Sequence, residues 1–122
     1  MQELDFDFKP VDGIKTFQSQ CSHVTTWLRT HSRFVTGFEM EKKSPKTKAE
    51  IIEVLNDFFE QLLAFLKNAT EEQLSEKVKV FYGNVSKAFI IQTMDNHLSH
   101  HRGQMILYLR LKGIKPPSYV GW

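Results

Sequence analysis

A chain of 122 residues, 41% hydrophobic and 25% charged, has the size and balance of one ordinary globular domain, 1–122, that can bury a core without staples. Its formal charge of +2, with 16 basic and 14 acidic residues scattered along the chain, gives no footing for nucleic acid or an anionic membrane as partner. One cysteine, Cys21, excludes an intramolecular disulfide and fits a reducing cytoplasm.

The opening MQELDFDFKP is acidic and carries no apolar leader core, and no uninterrupted apolar run reaches the roughly 18 residues of a membrane span. A cytoplasmic protein is expected. In the lead-in, Leu4, Phe6 and Phe8 alternate with polar residues before Pro10 and Gly13, a pattern compatible with a short extended segment packed on one side.

A first helix is predicted to start after Thr16, a fair N-cap, and to run to about Thr36, before Gly37. Phe17, Cys21, Val24, Leu28 and Val35 recur at helical spacing, and Trp27 and Phe34 widen the stripe. Glu39 to Ser44 reads as a charged connection. Pro45 and then Thr47-Lys-Ala-Glu50, a capping box, announce a second helix. From Ile51 to Leu66 its apolar residues cover more than half the circumference, so it needs cover on several sides.

Residues 70–83 are the least decided. Thr70-Glu-Glu-Gln suits one capped helical turn, and Val78-Lys-Val80-Phe-Tyr82 suits a brief extended stretch before Gly83. A third helix is predicted from near Ser86 to Lys112. Gly113 stands where a left-handed C-cap belongs, Ile114 can close over it, and Pro116-Pro117 forbid continuation. Three long helices and no repeats make the class all-α.

Three of the five histidines fall within that third helix, at His97, His100 and His101. At about 100° per residue, His97 and His101 stack one turn apart on one face, together with Ile90, Met94, Gln104 and Tyr108. Two buried imidazoles carry polar nitrogens that need partners, and a pair at i and i+4 can grip a single transition metal. His100 falls nearer the edge, as a solvated or supporting residue. No glutamate follows His97 directly, so the helical zinc-protease pattern is absent.

Two ligands make a weak site, and the first helix offers a third. Periodicity favours His31, near the middle of its apolar stripe, over His23 at the border, although border residues are the ones that line bundle clefts. Cys21 points away from His23 and reads as a small buried hydrophobe.

The run His97-Leu-Ser-His-His101-Arg102-Gly103-Gln104, followed by Leu107 to Gly113, Pro116-Pro117 and Tyr119, resembles the C-terminal signature of the DinB-like (DinB/YfiT) superfamily. Pro10 to His23 resembles the segment leading to that family's first histidine, and Thr47-Lys-Ala-Glu50-Ile its next helix. The likeness spans nearly the whole chain. It implies a helical bundle in which His23, His97 and His101 hold a divalent metal (zinc or nickel, with manganese also found), while Arg102 and Gln104 belong to the motif without ligating. Here the resemblance displaces His31 in favour of His23.

Members usually carry a further long helix ahead of the segment matching Phe8–Phe17, and the resemblance implies that this bundle lacks it. A second subunit that covers the second helix, hence a homodimer, is expected; a shortened chain start is the alternative. The resemblance further implies a small-molecule substrate and metal activation of a low-molecular-weight thiol or of water, in an S-transferase or hydrolase. A non-catalytic metal-binding stress protein is the reading from another class.

Overall fold

The computed structural model describes residues 1–2, 5–40 and 44–118. Leu4 of the alternating lead-in, part of the charged connection and Tyr119 of the C-terminal signature lie outside them.

Three long helices carry the fold: α1 (Phe17–Thr36), α2 (Lys48–Asn68) and, at the end of the order, α4 (Lys87–Leu111). Between α2 and α4 come one capped turn, α3 (Glu71–Ser75), and a hairpin of β1 (Lys77–Val80) and β2 (Gly83–Ser86). The start signals act as the sequence requires. Thr16 Oγ1 accepts the Ser19 N–H at 3.1 Å, and Ser86 Oγ accepts that of Phe89 at 3.1 Å. Thr47 and Glu50 form the reciprocal capping box, as Thr70 and Gln73 do for α3. Each satisfies N–H groups that the first helical turn leaves unpaired.

α4 ends on a Schellman motif. Gly113 is left-handed at φ 71°, its N–H donates to Arg110 O, and the Ile114 N–H donates to Leu109 O, both at 2.9 Å. The hairpin is antiparallel with Val80 opposite Gly83 and Val78 opposite Val85. It resolves the undecided stretch into one helical turn and two short strands joined through Phe81-Tyr82. The lead-in is a series of turns rather than an extended segment. It still packs down, with Phe6 buried beside Cys21 and Ile51 and Phe8 edge-on to Tyr108.

α1 is the central element, packed against both α2 and α4. Val24, Leu28 and Val35 from α1, Phe58 from α2, Val80 from the hairpin, and Ile90 and Met94 from α4 form the main core. Cys21 is buried, as its place in the stripe demands. The wide stripe of α2 is only half used. Ile52, Phe59, Leu63 and Leu66 remain 39–54% exposed, beside a cleft of about 580 Å³ bounded by Phe58 and Leu62 on one side and Ile91 and Leu98 on the other. No helix among the described residues is long and apolar enough to cross a membrane.

Candidate metal centre

The chemistry lies on the contact between α1 and α4. His97 and His101 project from successive turns of α4, because residues four apart share a face. Across from them α1 presents Gln20, His23 and Trp27, again at spacings of three and four. The ligand-capable atoms of His23, His97 and His101 all lie within 4.8 Å of one another. His97 Nε2 and His23 Nε2 are 3.3 Å apart, and the ring centroids of the three residues are separated by 4.4–5.2 Å. His101 is buried, while His23 and His97 are half-buried. The cluster is therefore reached by solvent from one side. No fourth His, Cys, Asp or Glu joins this group among the described residues.

His101 is the best anchored of the three. Its Nδ1–H points at two side-chain oxygens, Gln20 Oε1 and Gln104 Oε1, each at 2.9 Å. That bond assigns the proton to Nδ1 and leaves Nε2 as a lone-pair donor. Gln104 is itself oriented, since its amide nitrogen donates to His100 Nε2 at 3.2 Å. His100, exposed, thus supports the site at one remove.

The electrostatics favour neutral rings. Burial pushes His97 down to about 4, helped by the neighbouring imidazoles, His101 first. His23 is lowered by burial and then by Lys15. His101 is lowered by burial, against a raising contribution from its bond to Gln104. Three imidazoles that resist protonation, with no acid among them, suit a borderline ion such as zinc or nickel; calcium and magnesium prefer oxygen. The donor set fits a divalent transition metal, and it could hold one.

His31, favoured by periodicity, is deeply buried at 1% exposure but does not join the cluster. It sits two turns along α1 from His23, where its Nδ1–H donates to Trp27 O at 2.9 Å and its ring stacks on the Trp27 indole at 3.5 Å. The middle of the α1 stripe faces the core, and the border faces α4. Gln20 is the residue that sequence reasoning missed. Its signal was available: a polar residue one turn before His23, within the arc that continues through Trp27.

Comparison with known proteins agrees with the fold. The family model described as the DinB family matches residues 2–121. YjoA, an uncharacterized protein of Bacillus subtilis (strain 168), is 21% identical over 114 residues, which cover 88% of this chain and 74% of YjoA. The crystal structure of that DinB-like protein at 2.30 Å superposes with a TM-score of 0.71 and 18% identity, over 97% of this chain and 83% of the other. At such identity the likeness speaks for the fold.

Proposed function

The chain belongs to the DinB family, and from that premise we propose a metal-dependent enzyme that binds a divalent transition ion, zinc or nickel in preference to manganese, on His23, His97 and His101. One observation carries the reading: three imidazoles from two helices converge within 4.8 Å with their burial graded from closed to open. A purely structural site would be closed by a fourth protein ligand, whereas a catalytic one keeps a position for substrate. An ion held there would lower the pKa of a thiol or water toward neutrality and so supply a nucleophile.

The residues of the chain then do the rest. Gln20 and Gln104 hold the His101 proton at Nδ1 and keep Nε2 free. The partly exposed His23 and His97 form the mouth of the site, and the buried His101 its floor. The reaction class we favour is transfer of a small-molecule thiol to an electrophilic carbon. A C–S bond forms, the leaving group departs with its electron pair, and the thiol proton passes to solvent. Hydrolysis by the same centre is the second reading, because the open side admits water as readily as a thiol. The proposed setting is the cytoplasm, consistent with the single buried cysteine.

The same reading includes a homodimer, supported by the uncovered apolar stripe of α2; a monodisperse monomer in light scattering at low concentration would count against it. The metal reading is tested by elemental analysis of the purified protein, followed by conjugation assays with several low-molecular-weight thiols. One equivalent of transition metal per chain, lost in His97→Ala, supports it. Metal-free protein that takes up none on titration rejects it. Metal with no turnover of any thiol, or of ester and amide substrates, leaves a binding protein rather than an enzyme.

A further inference from the structure

A metal-bound histidine ordinarily donates its second N–H to an acceptor, which fixes the ring. His101 obeys that rule through two glutamines. His97 does not, since its Nδ1 is buried and has no hydrogen-bond partner among the described residues. Something else must hold that ring. The Trp27 indole lies flat against it, with centroids 4.0 Å apart and planes 8° from parallel.

Trp27 is backed in turn. Its other face carries the His31 ring at 3.5 Å and 16°, and Tyr82 of the hairpin turn lies parallel to His31 at 5.8 Å and 13°. His31 cannot swing away, because its Nδ1–H is tied to the Trp27 carbonyl. Four rings therefore form one column, Tyr82–His31–Trp27–His97, that runs from the hairpin to the histidine cluster. On α1 the spacing is regular: His23, Trp27 and His31 stand four residues apart, so candidate ligand, plate and backing share one face.

We infer that Trp27 is a positioning residue for His97, which sets the imidazole plane by stacking where the other α4 histidine is set by hydrogen bonds. Rotation of the imidazole about its Cβ–Cγ bond would drive its edge into the indole, so the flat plate leaves Nε2 directed at His23. The inference rests on the metal reading of the site.

The test compares wild type with Trp27→Phe and Trp27→Leu, by chelator competition with Zn²⁺ and by the visible spectrum of the Co²⁺-loaded protein. Thermal melts of the metal-free forms, run in parallel, establish that each variant is folded at the assay temperature. A smaller flat plate should nearly suffice, so Trp27→Phe should bind within about threefold of wild type. Trp27→Leu, apolar but not planar, should bind about 10- to 100-fold more weakly, the usual cost of losing a ligand's orienting partner. Its Co²⁺ bands should also shift, which a role confined to packing would not produce. Leucine and phenylalanine variants that both match wild type in affinity and spectrum would overturn the positioning role alone. A wild-type protein that binds neither ion would overturn this inference together with the metal reading.

Discussion

Gln20 Oε1 on α1 and His101 Nδ1 on α4 meet at 2.9 Å across the main helix–helix contact, far apart in sequence and buried together. Gln104 brings a second oxygen to the same nitrogen at the same distance, so the two amides share one N–H. Replacing either glutamine by leucine leaves the other in place. We expect Gln20→Leu and Gln104→Leu each to weaken metal binding by less than tenfold, and the double variant by about 10- to 100-fold. Chelator competition across the four proteins of the cycle would show that non-additivity.

Alanine at His23, His97 or His101 should abolish stoichiometric metal, since two imidazoles make a weak site. His31→Ala should behave differently. It should retain one metal per chain and lose about 2–4 kcal/mol of stability, because it empties a fully buried position under Trp27. Elemental analysis and denaturant unfolding of the four variants separate the two effects.

Acid should destabilise the metal-free protein partly through His31. Burial lowers its pKa from 6.5, outweighing the bond to the Trp27 carbonyl, which acts in the opposite sense. The unfolded chain therefore takes up the proton first as pH falls. The stabilisation from a neutral His31 is complete above about pH 6.5 and is lost progressively below it. His31→Phe should flatten part of the slope of stability as pH falls below about 6.5, measured by urea midpoints at each pH.

Leu28 is 1% exposed and belongs to the core that joins α1 to α2 and α4. Leu28→Ala should cost about 3–5 kcal/mol. Thr47→Ala, which removes only the cap of α2, should cost about 1 kcal/mol. Urea unfolding of both should reproduce that order.

Helix ends were the most legible part of the chain, because each is signalled by residues within one turn of it. Thr16 and Thr47 cap as read, α4 starts from Ser86, where the third helix is predicted, and Gly113 with Ile114 closes α4. The pairing of His97 with His101 followed from helical spacing alone. The third member did not. A wheel ranks residues by depth in one helix's own stripe and says nothing about which neighbour each arc will face. His31 won on depth and is indeed buried, yet the α1 arc that meets α4 is the one carrying Gln20, His23 and Trp27. The resemblance to a known family, not periodicity, pointed to His23. The hairpin stayed undecided because strands of four residues depend on cross-strand pairing, here Val78 with Val85, which no short window displays.

The contact between His23 and His97 joins positions 74 residues apart. An ion seated between them would act as a clasp on the chain, tying its first long helix to its last and enclosing α2 and the hairpin in one large ring. Such a tie removes entropy from the open chain and must be broken before α1 and α4 can part. The loaded protein would then come apart more slowly than the bare one, whatever chemistry the ion performs.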